Sequence, residues 1–449
     1  MGLFSQQTTI RGTLKNGKGD VVYLVKYKDM ISYEDEIISR TIAKNDESFE
    51  LKAEVGETIY AILSTGMIGA DIYLQPGAHL KLEVIADPGA QPLAYSQEAG
   101  LELNFLSDSP LNRNILDADA LYNDFIMEHF DAIYKHRKHH LIDTLRQRLK
   151  RSFEGFDMAY FENYIAYKIA GIEHFARKKS LATIAGEHFI GKPVRYQNTE
   201  YMYLFHQLFD EYFISKSRQV DVVSFITAIR NKDGFDAFWK IAQKDELLKE
   251  DNRLLEMVLL NTIKELHNIP AIDRDHIILI LKEAETKLNH KENRKIASNL
   301  ITKFTRLKVG TPAPDFTLPG LNSDSLSRQQ LEGKITFINF WNLDCRSCIA
   351  TLDSIAKVYD RFNDAIRIVS ISTDKDPFAA SRFVETKGYP WTFLHFNKQF
   401  EVLYNYRVFT FPHNILLDEE GNVLRYPAKL PAEQIEDVLR KYSVRATGN

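Results

Sequence analysis

Cysteine is nearly absent: the 449-residue chain has two, Cys345 and Cys348. That excludes a disulfide-stapled scaffold, which spreads many cysteines along a short chain. Long apolar runs are missing too, and none approaches the roughly 18 residues that a membrane span needs. Neither sign of charge is in excess. The 57 Lys and Arg against 61 Asp and Glu leave a net charge of −4. A nucleic-acid binder usually carries a basic surplus, so that class is disfavoured. There is no Gly-rich phosphate loop, no His-Glu-x-x-His run, no serine-nucleophile motif, no internal repeat and no low-complexity tract. Nothing in this pattern calls for a cofactor or a metal.

What is there is enough for packed cores: 44% of residues are hydrophobic and 12% aromatic. At about 150 residues per domain, the length suggests about three domains. Residues 1–88 read as a small β-sandwich. Short runs rich in β-branched and aromatic residues recur at 10–14, 21–25, 48–51, 59–63, 72–74 and 80–84, separated by turn signals such as Asn16-Gly17 and Pro76-Gly77. The stretch 87–92 reads as a linker. From 97 to 305 the apolar period becomes helical, which predicts an all-α region of about five to eight helices. Leu121, Phe125, Ile126, Phe130 and Ile133 share one face, and Phe161, Ile165, Ile169, Ile172 and Phe175 share another. Residues 306–449 alternate strands (335–340, 366–372, 414–418, 423–426) with helices (345–362, 378–387, 431–442). That alternation predicts a mixed sheet covered by helices.

The two cysteines stand at Cys-x-x-Cys spacing in Phe340-Trp341-Asn342-Leu343-Asp344-Cys345-Arg346-Ser347-Cys348. One helical turn separates them, close enough to bond. The flanks make this a thiol–disulfide site, because a thiolate at a helix start is stabilised by unpaired backbone N–H groups. Cys345 is the expected nucleophile and Cys348 the resolving thiol. Arg346 favours the thiolate, and the carboxylate of Asp344 disfavours it. A zinc site lacks the second cysteine pair it needs. In Lys135-His136-Arg137-Lys138-His139-His140, His136 and His140 have the spacing of two metal ligands on a helix; a solvated helix face is the simpler reading.

The ordered set Gly310-Thr311-Pro312-Ala313-Pro314-Asp315-Phe316, Gly333-Lys334, Asn339-Phe340-Trp341, Ser370-Ile371-Ser372-Thr373-Asp374, Tyr404-Asn405-Tyr406-Arg407-Val408, Phe411-Pro412 and Leu417-Asp418-Glu419-Glu420-Gly421 resembles the thioredoxin-like domain of the TlpA/ResA-type family of exported thiol–disulfide proteins. It covers about a third of the chain. The preceding residues resemble, more weakly, the β domain and helical region that stand before such a domain in Bacteroidota proteins, most closely at Gly191–Met202.

The resemblance implies a redox-active α/β thioredoxin-like fold, a cis Pro412 facing the cysteines, and a backbone site for substrate at Phe411. It implies a helper carboxylate at Asp374, since Asn339 occupies a position where thioredoxin proper has a buried acid and cannot titrate. Trp341 is expected beside the cysteine loop and His413 near the sulfurs. Protein disulfides are the implied substrates and a reducing protein the implied partner, with a homodimer left open. The start, Met1-Gly2-Leu3-Phe4-Ser5-Gln6, lacks a charged n-region and an apolar h-region, which taken literally is cytoplasmic. Leu3-Phe4-Ser5 before Gln6-Gln7 resembles the end of a cleaved export signal, which places the protein in the periplasm. The leading expectation is a reductase of protein disulfides in the cell envelope. The alternatives are an envelope protein-binding module with a redox-sensitive appendage, and a disulfide isomerase.

Overall fold

Period-two apolar patterning builds the first layer. In the computed structural model, which describes residues 5–65, 68–86, 100–322, 324–408, 410–428, 437, 440 and 441, the chain opens with eight described strands. They are β1 (Gln6–Lys15), β2 (Val21–Tyr27), β3 (Asp35–Ile42), β4 (Ser48–Val55), β5 (Ile59–Thr65), β6 (Ile68–Leu74), β7 (His79–Ala86) and β8 (Leu101–Phe105). Two four-stranded sheets result, ordered β4-β1-β7-β8 and β3-β2-β5-β6. Inward residues of both, among them Ile10, Leu24, Phe49, Leu63, Ile72 and Leu82, form one shared core. That is the expected sandwich. Two strands went unread in the sequence. β3 carries charges and little burial, as an edge strand does. β8 lies beyond the expected linker and pairs antiparallel with β7.

Helices follow: α1 (Pro110–Tyr134), α2 (His140–Ser152), α3 (Ala159–Phe175), α4 (Leu181–His188), α5 (Thr199–Phe209), α6 (Val222–Arg230), α7 (Phe235–Ala242), α8 (Asn252–His267), α9 (Arg274–Lys287) and α10 (Lys291–Thr305). Their number exceeds the expected range because α4 and α7 are only 8 residues each, too short to show a period. Two apolar faces also depart from expectation. Phe130 and Phe175 are exposed, and each packs on Tyr134. The basic run 135–139 is the turn between α1 and α2, so His136 and His140 do not share a helix. No group of potential metal ligands forms there or elsewhere among the described residues. No described helix is long and apolar enough to cross a membrane. The expected linker 87–92 and the start through Phe4 lie outside the described residues.

From 304 the chain forms a second compact unit, described here by itself. Short β9 (Thr317–Leu318) and β10 (Leu326–Ser327) lead into β11 (Ile335–Trp341), α11 (Arg346–Phe362), β12 (Ile366–Ser372), α12 (Pro377–Lys387), β13 (Thr392–His395), α13 (Phe400–Asn405), β14 (His413–Leu417) and β15 (Val423–Arg425). The five-stranded sheet runs β13-β12-β11-β14-β15. β11, β12 and β13 are parallel, while β14 runs antiparallel to β11. All seven residues of β11 are buried, as a central strand covered on both faces requires. One core layer joins Phe337 and Trp341 to Leu352 and Ile355 of α11 and Ala380 and Val384 of α12. The other joins Ile338 and Phe340 to Tyr406, Ile415 and Leu417. The expected closing helix at 431–442 falls outside the described residues except at 437, 440 and 441, which are helical.

Leu352 is wholly buried where α11 meets the sheet. Leu352→Ala is expected to destabilise this unit by about 2–5 kcal/mol, through lost apolar transfer plus a residual cavity. Urea unfolding followed by near-UV circular dichroism checks it, and a change under about 1 kcal/mol would contradict the packing described.

Candidate functional site

β11 and β12 end side by side, with Trp341 opposite Ser372. The loops leaving those ends are therefore neighbours, and α11 starts from the first of them. A helix start leaves backbone N–H groups without intrahelical acceptors. Here the N-cap is Cys345, whose sulfur accepts from the N–H of Cys348 at 3.0 Å. A thiolate at that position would gain the same contact and the positive end of the helix dipole. Ser347 adds a hydroxyl whose Oγ lies 3.3 Å from the Cys345 sulfur. Cys345 and Cys348 are joined as a disulfide with Sγ–Sγ 2.10 Å. The pair is asymmetric: Cys345 is partly exposed, while Cys348 is fully buried against Leu352 and Trp341 in the same core layer.

Asp374 closes the loop from the neighbouring strand. Its Oδ1 accepts the Leu343 N–H at 2.9 Å and its Oδ2 accepts the Ser372 hydroxyl at 2.7 Å. The carboxylate thus pins the backbone two residues before Cys345. Burial pushes the Asp374 carboxyl above its ordinary value, and Asp344 pushes it the same way. The Leu343 and Ser372 bonds and the charge of His395 pull it down by less. The imidazole of His395 contacts the Asp374 backbone oxygen through Nε2 at 2.8 Å, and its Nδ1 accepts from Asn397 N–H.

On the other side of β11, β14 begins with His413 opposite Phe340. The Phe411–Pro412 bond just before it is cis. Register therefore brings Pro412 to the edge of the sheet from which the cysteine loop leaves. Phe411 is half-buried and packs against both core layers, one of them shared with the cysteines. His413 goes elsewhere. It stands in the layer of Phe340 and Tyr406, with its ring against Phe340 and Tyr426, whereas the cysteines belong to the α11 layer. Burial lowers its pKa and favours the neutral imidazole, with a bond to the Tyr406 backbone opposing. Trp341 is fully buried, tilted against Phe383 and edge-on to Phe393, so it supports the cysteine loop from beneath.

Asn339 is fully buried and its Nδ2 donates to Asn414 Oδ1 at 2.7 Å, across the β11–β14 register. Asn339 Oδ1 and Asn414 Nδ2 have no partner among the described residues. Asn414, Ser347 and the Leu343 amide went unrecognised in the sequence. Ser347 was legible as a hydroxyl inside the Cys-x-x-Cys run. Asn414 was not, because the antiparallel register that seats it beside Asn339 has no local mark.

A raised Asp374 pKa has a definite sign. Folding favours the protonated carboxyl, so the stability it contributes is fully present below the unfolded-state pKa and is lost as pH rises through the folded value. Asp374→Asn is expected to remove that loss from urea midpoints measured between about pH 3 and pH 7. An unchanged pH profile in the variant would contradict the assignment.

Residues 309–426 match the AhpC/TSA family. The thiol-disulfide oxidoreductase ResA of Bacillus thuringiensis subsp. konkukian is 27% identical over 143 residues, which is 31% of this chain and 82% of that relative. ResA of Halalkalibacterium halodurans is 26% identical over 129 residues, 28% of this chain and 73% of the relative. Among solved structures, the thioredoxin domain of a thiol-disulfide oxidoreductase from Bacteroides vulgatus is 26% identical and covers 30% of this chain and 98% of that one, with a TM-score of 0.28. These matches lie in the C-terminal domain. The buried central strand, the cysteine pair opening α11 and the Pro412 turn opposite it all fall inside the matched stretch, and the chain from 309 to 426 is a thioredoxin-like domain of the AhpC/TSA family.

Proposed function

We propose that the protein is a thiol–disulfide oxidoreductase that reduces protein disulfides in the cell envelope. The observation that carries this reading is the asymmetry of the pair: a partly exposed sulfur at a helix start, backed by a buried partner one turn on. The exposed Cys345 thiolate attacks one sulfur of a substrate disulfide. The substrate S–S bond breaks, its second sulfur leaves as a thiolate that takes up a proton, and a mixed disulfide forms at Cys345. Cys348, as thiolate, then attacks Cys345 Sγ and displaces the reduced substrate, leaving the Cys345–Cys348 disulfide. A dithiol on a reducing partner protein returns the pair to the reduced state by the same exchange.

Each surrounding residue has a part. Asp374 holds the loop through Leu343 and serves as the carboxyl that accepts or returns protons near the pair. Pro412 and the backbone of Phe411 offer an edge along which an extended substrate lies. Trp341 and His413 support this edge from the two core layers. An envelope location fits the scarcity of thiols, since the two cysteines of the chain are both in the pair and none is left to misoxidise. No cofactor enters these steps.

The two cysteines should fail differently. Cys345→Ser is expected to abolish reduction of insulin by the reduced protein. Cys348→Ser is expected to accumulate a mixed disulfide with substrate, visible as a higher-mass band on a non-reducing gel and lost on adding dithiothreitol. Trapping by Cys345→Ser instead, or no loss of activity in either variant, would contradict the assignment.

A further inference from the structure

The sheet end from which the cysteine loop leaves also carries an apolar side chain that the exchange steps do not use. Phe378 is 77% exposed, more than any other large apolar side chain described between 306 and 428. It sits at the second position of α12, whose start lies at the carboxyl end of β12, the same sheet end from which the cysteine loop leaves β11. The link between the two loops is direct: Leu343 N–H donates to Asp374, four residues before Phe378.

The backbone presenting Phe378 is pinned. Asp376 caps α12 and its Oδ1 accepts the Phe378 N–H at 2.9 Å, while Asp374 N–H donates to the Ser372 hydroxyl at 3.2 Å. The opposite side of α12 supplies the packing, through Ala380, Val384 and Phe383, with Phe383 against Trp341. Phe378 therefore contributes nothing to that core and leaves a large ring in water on a rigid mount. Across the cysteine loop, β14 delivers the part-buried Phe411. Sheet order β12-β11-β14 puts the strand that leads to Cys345 between the strand that leads to Phe378 and the strand that follows Phe411. Neighbouring strands are about 4.8 Å apart, so the β12 and β14 ends lie roughly 10 Å apart, the span of about three extended residues.

We propose that Phe378 is a substrate-docking residue that selects disulfides whose reactive cysteine is flanked, within two or three positions, by an apolar side chain. The occupant is an extended segment of a substrate polypeptide crossing the sheet end over Cys345, with the flanking side chain covering the Phe378 ring. This rests on the thiol–disulfide exchange reading and adds a substrate class to it.

The test uses the full chain in its reduced form and two synthetic peptides, each closed by one disulfide and differing only in Leu or Ser beside the reactive cysteine. Hydroxyethyl disulfide is the small control substrate. The wild type should reduce the Leu peptide with kcat/KM roughly tenfold above the Ser peptide, mainly through KM. Phe378→Ser should abolish that preference, and Phe378→Leu should retain most of it. All three proteins should turn over hydroxyethyl disulfide equally and share one reduction potential. A preference that survives in Phe378→Ser, with the small substrate still reduced, overturns the docking role alone. A wild type that reduces none of the three substrates overturns the exchange reading and the docking role together.

Discussion

The site depends on one electrostatic constraint, the open backbone N–H groups at the start of α11. Something must accept them, and the sulfur of Cys345 does so for the N–H of Cys348. This single contact fixes the sulfur at the surface end of the helix, orients it toward its partner, and offers a thiolate the stabilisation that a free cysteine lacks. The rest of the domain serves to hold that helix start in place. β11 is buried on both faces, so its exit point cannot shift. α11 is anchored by Leu352 and Ile355 against the sheet. Asp374 ties the intervening loop to the neighbouring strand through Leu343.

The charge around this helix start is mixed. The helix end and Arg346 favour a thiolate at Cys345. Asp344, adjacent in sequence, and Asp374, held under the loop, oppose it once ionised. Oxidising members of this chemistry owe their potential to a strongly stabilised reduced form. A carboxylate adjacent in sequence and another bonded to the cysteine loop weaken that stabilisation, which fits the proposed pair that gives electrons to substrates. The polar pair buried within the sheet is uncharged. Asn339 and Asn414 hold each other across β11 and β14, and neither can take a proton from Cys348. That leaves Asp374 as the carboxyl whose bonds reach the cysteine loop.

Much of this was legible from residues alone, wherever a local rule acts. The Cys-x-x-Cys run and the apolar run of β11 report their own conformation and burial. The sandwich showed itself by alternation and the helical region by its longer period. What escaped notice depends on contacts between distant segments. β8 reads as a strand only when β7 is beside it, and β3 hides its role under charged residues. His413 follows Pro412 directly, yet the alternation along β14 turns it into the layer away from the sulfurs. The basic run at 135–139 has helical ligand spacing on paper, but the chain turns there. Phe378 could not be distinguished from a core phenylalanine until the packing of α12 showed which of its faces is covered.

The reduction potential of the Cys345–Cys348 pair tests the account most directly, measured by equilibrating the full chain with dithiothreitol or glutathione buffers and trapping the free thiols. A value at or below that of thioredoxin, about −270 mV, is the result this account predicts for a reductase that draws on a dedicated electron source. A value near the roughly −120 mV of a strong disulfide oxidant, or a pair that forms no disulfide across the titration, would contradict it.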